Sequence, residues 1–252
     1  METIRNGSPR SAVVVSWQDV LITAGYSLAP YGADGDFGST TEQATKAWQE
    51  KHGLKPTGVV DDATWDAVKG SVCAETVNTN PTFPPLSEAA RAQLFGMFKY
   101  ESAPMPGNPE AINILDDWPQ KNIVQVKLPG SEKLIGGPPR GTVAFHVKAA
   151  QQLQDLWQAW IDAGLLDRVL SWGGSWAPRF IRGSRTKLSN HAFASAFDIN
   201  VPWNQLGAKP AAAGTKGSVA ELVPLAQQYG FFWGGNFSPR QDGMHFEVAK
   251  LL

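Results

Sequence analysis

Two short stretches of this chain concentrate the side chains able to do chemistry. Residues 188–200 read Leu-Ser-Asn-His-Ala-Phe-Ala-Ser-Ala-Phe-Asp-Ile-Asn, and residues 241–247 read Gln-Asp-Gly-Met-His-Phe-Glu. Together they supply His191, Asp198, Asp242, His245 and Glu247. Two neutral imidazoles and one carboxylate suit a catalytic Zn²⁺, which keeps a fourth position open for water. Such a site activates water near neutral pH and polarises a scissile carbonyl. Asp242 lies three residues before His245, in the turn ahead of a predicted strand, where a carboxylate can reach that water as a general base. Strand alternation puts Glu247 on the face of His245, where it can hold the imidazole in orientation.

The rest of the composition narrows the choice of ligands. The chain has four histidines, His52, His146, His191 and His245, and one cysteine, Cys73. A single cysteine forms neither an internal disulfide nor a thiolate zinc site, so any metal must use histidine and carboxylate. Taken alone, a histidine in a loop is usually not a ligand, and the H-E-x-x-H helix of the common zinc peptidases is absent. His146 sits in the apolar run Val143–Val147 and reads as a hydrogen-bonded structural histidine. His52 reads as a surface residue of a small N-terminal unit. Trp172, Trp176, Trp203 and Trp233 fit either a substrate groove or the core, the core being the commoner fate.

The elements that must position these residues follow from periodicity. Val14, Trp17, Val20, Leu21 and Ala24 recur at helical spacing, with Gly25 ending the helix. Thr40 or Thr41 can cap a second helix carrying Ala44, Ala47 and Trp48. A third short helix includes Thr64, Trp65 and Val68. The proline-rich stretch 76–86 cannot form a core and reads as a linker. Ser87 and Glu88 open a helix over Ala89–Lys99. Strand character appears at Ile123–Leu128, Thr142–Val147, Arg168–Trp172, Ala196–Val201 and Met244–Val248. Helices are expected over Lys148–Ala163 and Ser218–Tyr229. This predicts a three-helix domain over 1–72, a linker over 73–86, and a domain over 87–252 of the α+β class with a small antiparallel sheet.

Asp34-Gly35-Asp36-Phe37-Gly38, Thr41, Ala44, Trp48-Gln49, Gly58, Asp61 and Thr64-Trp65 resemble the type 1 peptidoglycan-binding domain, with Trp48 in place of the usual phenylalanine. The resemblance covers about sixty residues and implies a three-helix unit that binds wall peptide or glycan. Most of these residues have turn or packing duties, so the motif names no contact residues. The pattern Ser189, His191, Ala194, Ala196, Asp198, followed by Asp242 and His245, resembles the zinc D-alanyl-D-alanine carboxypeptidases. That family includes VanY-type enzymes and the L-alanyl-D-glutamate endopeptidases of phage endolysins. The likeness runs over roughly 90–250, through Trp172–Arg179 and Gly230–Gly235. It implies Zn²⁺ on His191, Asp198 and His245, with Asp242 as base and Ser189 against substrate. It also implies an upstream arginine for the substrate carbonyl or carboxylate, best matched by Arg179, with Arg182 and Arg185 close by. The family glycine is Ala194 here, a costly exchange if the position needs a positive φ.

A formal net charge of -1 gives no basic field for nucleic acid. No apolar run approaches the ~18 residues of a membrane span. The nearest signal-like stretch, Val13–Val15, is broken by Trp17, Gln18 and Asp19, with Glu2 ahead of it. The expectation is therefore a monomer whose partner is bacterial peptidoglycan, and which accumulates in a host cytoplasm before release to the wall, as a phage endolysin does. Cleavage at L-alanyl-D-glutamate is favoured because the base is aspartate, no signal is seen and a wall module is present. The alternatives are a D-alanyl-D-alanine carboxypeptidase, an inactive wall-binding protein, and a glycosidase with paired carboxylates.

Overall fold

The computed structural model describes residues 2–71 and 77–252 and divides into two units, Met1–Thr76 and Val77–Leu252. Residues 73–76 of the expected linker, Cys73 among them, lie outside the described residues. Residues 77–86 carry no helix or strand. The carbonyl of Thr79 nonetheless accepts hydrogen bonds from Asn236 (2.6 Å) and Gln227 (3.3 Å) of the second unit. Among the described residues, no helix is long and apolar enough to cross a membrane.

The first unit has three helices, α1 (Ala12–Thr23), α2 (Ser39–Lys51) and α3 (Asp62–Ser71). One tryptophan from each helix meets in the core, Trp17 packing edge-on against both Trp48 (5.2 Å) and Trp65 (5.4 Å). Two buried glutamines pin the loops between helices. Gln18 accepts from the Gly35 amide and donates to Asp34, the Asp36 carbonyl and Thr41. Gln49 accepts from the Gly58 amide and donates to the Val59 carbonyl and Thr64. The expected threonine cap of α2 is not used. Gly38 occupies the cap position, and Thr41 lies buried inside the helix as a partner of Gln18. His52 stacks on Trp48 at 3.8 Å.

The second unit is α+β. It opens with α4 (Glu88–Phe95), capped by Ser87, and the hairpin β1 (Tyr100–Ser102) with β2 (Ile112–Ile114). After α5 (Trp118–Asn122), β3 (Ile123–Lys127) pairs antiparallel with β4 (Thr142–His146). Helix α6 (Ala150–Asp162) buries Leu153, Leu156, Trp157 and Trp160, the i, i+3, i+4, i+7 face of an amphipathic helix. Next come β5 (Trp172–Gly174), β6 (Ala196–Ile199), α7 (Val223–Gln228), β7 (Phe231–Trp233) and β8 (His245–Val248). These four strands form one antiparallel sheet in the order β5-β6-β8-β7.

Three expected elements differ. Helix α4 stops at Phe95 because Gly96 turns left-handed at φ 79°, and Lys99 pairs instead with Asp116 and Leu115. The strand expected over Arg168–Trp172 begins only at Trp172, after an isolated parallel bridge of Ser171 to Ile135. The amides of Leu170 and Ser171 donate to the side chain of buried Asn200, which replaces a ladder partner. The helix expected from Ser218 begins as a tight turn, Ala220–Leu222, and becomes α-helical at Val223, just ahead of Pro224, which has no amide to donate.

Candidate metal centre

Register places the site. Strands β6 and β8 pair Asp198 with His245 and Ala196 with Glu247. Cross-strand partners share a face, so Asp198, His245 and Glu247 lie together on one side of the sheet. The alternate residues, Phe197, Ile199, Phe246 and Val248, are buried in the core on the other side. Phe197 stacks between Trp172 (5.9 Å) and Phe246 (5.4 Å), which stiffens the strands under the site. A Cβ on Gly173 would meet Asp198 Cβ at 2.9 Å and Val201 at 2.5 Å. Only glycine lets β5 come this close behind the aspartate.

His191 comes from a tight turn, Asn190–Phe193, ahead of β6. Ser189 caps that turn by accepting from the His191 amide. The turn closes at Ala194, with φ 50° and ψ 35°. The position does require left-handed backbone, and the alanine adopts it at a cost of order 1 kcal/mol relative to glycine. Its carbonyl then accepts from the His146 amide and its own amide bonds the His191 carbonyl, so the strained turn still holds His191 in place.

Three atoms converge. His191 Nε2 lies 3.2 Å from Asp198 Oδ1 and 3.2 Å from His245 Nδ1, and His245 Nδ1 lies 3.0 Å from Asp198 Oδ1. The outer ring nitrogens define which form each imidazole takes. His191 Nδ1 faces the Ser175 carbonyl at 2.8 Å, and His245 Nε2 faces the Glu247 carboxylate at 3.1 Å. Both partners only accept, so both outer nitrogens carry the proton in the neutral rings. The inner nitrogens then present lone pairs to each other and to a carboxylate oxygen. Three acceptors at this spacing repel unless a cation sits among them. The site draws positive charge accordingly. Burial works against protonating His245, but Asp198 and Glu247 outweigh it and push its pKa up to about 10. Burial also raises the Asp198 pKa, yet the two histidines overcome that and hold the carboxyl well below its ordinary range. The donor set and its convergence fit a metal ion.

The site opens on a cavity of about 310 Å³ lined by Arg179, Ser189, His191, Asp242, His245 and Glu247, with Ile181, Leu206 and Phe237 as apolar wall. Asp242 is half-buried there. Its Oδ1 is shielded from solvent and has no hydrogen-bond partner among the described residues. Burial first, and then the Asp198 charge, raise its pKa, against the pull of His245, His191 and Arg179. A carboxylate with a raised pKa and a free oxygen is suited to proton transfer.

The three arginines separate by their partners. Arg182 is held by Glu110 (2.6 Å) and Asn108 (2.9 Å). Arg185 is exposed and does not line the cavity. Arg179 and Arg182 both line it; Arg179, whose guanidinium donates to the Phe180 carbonyl at 3.2 Å, is not tied to a carboxylate as Arg182 is. Burial and the Arg182 charge lower its pKa, while Asp198 and Asp242 stabilise its charge.

His146 is buried and satisfied, donating from Nε2 to the Phe95 carbonyl and accepting the Lys148 amide at Nδ1. None of Trp172, Trp176, Trp203 and Trp233 lines the cavity. Trp172 and Trp233 belong to the core, so the groove reading of these tryptophans does not hold for this cavity. Sequence reasoning missed Ser175, which acts through a carbonyl that any residue could supply. It also missed Arg240 and Phe237, which line the cavity from a turn with no motif of its own, and Asn190, whose only signal was its place beside His191.

Comparison with known proteins agrees with both halves of this description. Residues 10–68 match the family model of a peptidoglycan-binding domain, and residues 182–248 match that of the D-alanyl-D-alanine carboxypeptidases. An N-acetylmuramoyl-L-alanine amidase, CwlL of Bacillus licheniformis, is 41% identical over 66 residues, which are 26% of this chain and 18% of that protein. A peptidoglycan-binding protein of Clostridioides difficile, solved with glutamine hydroxamate, shares 36% identity over 27% of this chain and 40% of its own length. Its TM-score is 0.25. The chain thus spans well under two thirds of either relative.

Proposed function

We propose that this chain, which joins a peptidoglycan-binding domain to a peptidase domain of the D-alanyl-D-alanine carboxypeptidase family, is a zinc-dependent hydrolase of peptidoglycan stem peptides. The observation that carries the reading is the convergence of His191, Asp198 and His245 beside the free oxygen of Asp242. When bound, Zn²⁺ supplies Lewis-acid polarisation of the scissile carbonyl and brings water into the nucleophilic range near neutral pH. His191 Nε2, His245 Nδ1 and an Asp198 oxygen would hold the ion. Asp242 takes a proton from the attacking water and returns it to the departing amine. Arg179 holds a carbonyl or carboxylate oxygen of the substrate in the cavity, with Ser189 on the same wall. Glu247 keeps the His245 ring turned so that Nδ1 faces inward.

Within that class the reading favours an endopeptidase at the L-alanyl-D-glutamate bond, of the kind found in phage endolysins. Two features support it. The base is an aspartate, as in that branch, and a wall-binding unit suits an enzyme that dismantles an insoluble polymer by raising its local concentration there. The enzyme acts as a monomer on the wall after release from a host cytoplasm. End-group analysis of digested peptidoglycan tests the choice. New amino-terminal D-glutamate or D-isoglutamine is expected. Free D-alanine with no cut at the first stem residue would assign the carboxypeptidase reaction instead, and new reducing sugar would assign a glycosidase.

A further inference from the structure

Behind His245 runs a line of polar groups, buried at Glu247 and Arg91 and half-buried at Asn190, that ends on a helix outside the matched peptidase segment. His245 Nε2 donates to Glu247 Oε2, and the Asn190 amide nitrogen donates to the same oxygen. The Asn190 carbonyl oxygen accepts from a guanidinium nitrogen of Arg91, on α4. Arg91 is only 5% exposed, although arginine is seldom buried without reason. Its guanidinium also lies 5.6 Å from the Phe193 ring centroid and reaches toward the Leu188 carbonyl, while its Nε is buried without a hydrogen-bond partner among the described residues. The group is thus held at one end of the line at the expense of an unmade hydrogen bond.

The direction of the line follows from donor chemistry. A guanidinium only donates, so the Asn190 oxygen must face Arg91 and its nitrogen must face Glu247. A carboxylate only accepts, so Glu247 must take the proton-bearing Nε2 of His245. Each group leaves the next one a single choice. Without Arg91 the Asn190 oxygen loses its donor and the side chain loses the anchor that aims its nitrogen, so Glu247 is seated less firmly.

We infer that Arg91 is a positioning residue: through Asn190 it seats the Glu247 carboxylate against His245 Nε2, and so holds the ring with Nδ1 toward the metal position. This rests on the metal-site reading above. Outer partners of ligating histidines carry much of a site's affinity, their loss typically costing about 10–100-fold.

The test measures metal binding by the full-length chain, stripped of metal, rather than turnover. Zn²⁺ affinity is read by competition with a chromophoric chelator, and ligand geometry by the visible spectrum of the Co²⁺ form. Arg91→Met is expected to bind Zn²⁺ about 10–100-fold more weakly, with a changed Co²⁺ spectrum at saturation. Arg91→Lys, which keeps a cationic donor, is expected to recover part of the affinity. If Arg91→Met does not fold, Asn190→Ser, which breaks the line but leaves Arg91 in place, carries the same two expectations. Wild-type Zn²⁺ affinity together with a wild-type Co²⁺ spectrum in the folded variant overturns the inference alone. Failure of the unaltered chain to bind either ion overturns the metal-site reading and this inference with it.

Discussion

The two units bury polar groups in opposite ways. In the first, Gln18, Gln49, Thr45 and Thr64 are buried and bonded to groups of the same small fold, as in the Trp17 indole to Thr45 bond of 2.8 Å. In the second, the bonds around His191 and His245 use up the outer nitrogens and leave the inner ones facing Asp198. A buried network closed on itself contributes to stability and loop geometry. One that leaves acceptors converging on a point is incomplete until something cationic enters. The difference explains why the wall-binding motif reveals a scaffold, whereas the histidine motif reveals a site.

The strongest challenge to this contrast is Asp242→Asn. If Asp242 belongs to the open network as the base, the amide cannot take the proton, and turnover of soluble stem peptide should fall ~10²–10⁴-fold while bound metal, measured by mass spectrometry, stays at the wild-type level. Near-wild-type turnover would place Asp242 among the structural groups.

His146 is a closed group inside the second unit, and pH tests that status. Burial, opposed by the Phe95 carbonyl, lowers its pKa to about 4. The unfolded chain takes up a proton near the usual 6.5 and the folded chain does not, so stability is full above that value and is lost as pH falls toward 4. The loss is at most about 3 kcal/mol. Urea unfolding of the wild type and of His146→Gln across this range should differ in slope, and equal slopes would show that His146 is not a buried neutral group.

Gln49→Leu opens the closed network of the first unit. It strips partners from the Gly58 amide, the Val59 carbonyl and Thr64, and should destabilise that unit by about 1–3 kcal/mol. Turnover of soluble stem peptide should stay unchanged. A matching loss of turnover, measured where both units remain folded, would mean that the units are coupled in function.

The smallest effect is expected at Ala194→Gly. Glycine removes the strain of φ 50° but also removes a buried methyl and adds freedom to the unfolded chain. These terms oppose one another, so thermal melting should report a net change below about 1 kcal/mol, with Zn²⁺ affinity retained. A large loss of affinity would show that the alanine methyl itself seats His191.

Much of this was legible in the sequence because it rests on local rules. Alternation along 196–199 and 245–248 put Asp198, His245 and Glu247 on predictable faces, the glycines and aspartates at 34–38 and 57–61 announced turns, and apolar periodicity around Trp17, Trp48 and Trp65 announced three short helices. Donor chemistry marked out two histidines and the nearby carboxylates as able to hold a metal, and the family resemblance chose His191, Asp198 and His245 among them. Tertiary structure decided what no local pattern encodes. The pairing of Asp198 opposite His245 depends on the register of strands separated by about forty-five residues of chain. The ring nitrogen each histidine turns inward depends on a Ser175 carbonyl and on the Glu247 carboxylate, which Asn190 joins to Arg91, ninety-nine residues before it. Arg179 is distinguished from Arg182 by a distant carboxylate, Glu110. The physical reason is common to all three. Which atoms can bond is written in the residue type, but which of them are left unbonded is known only after every neighbour has been placed.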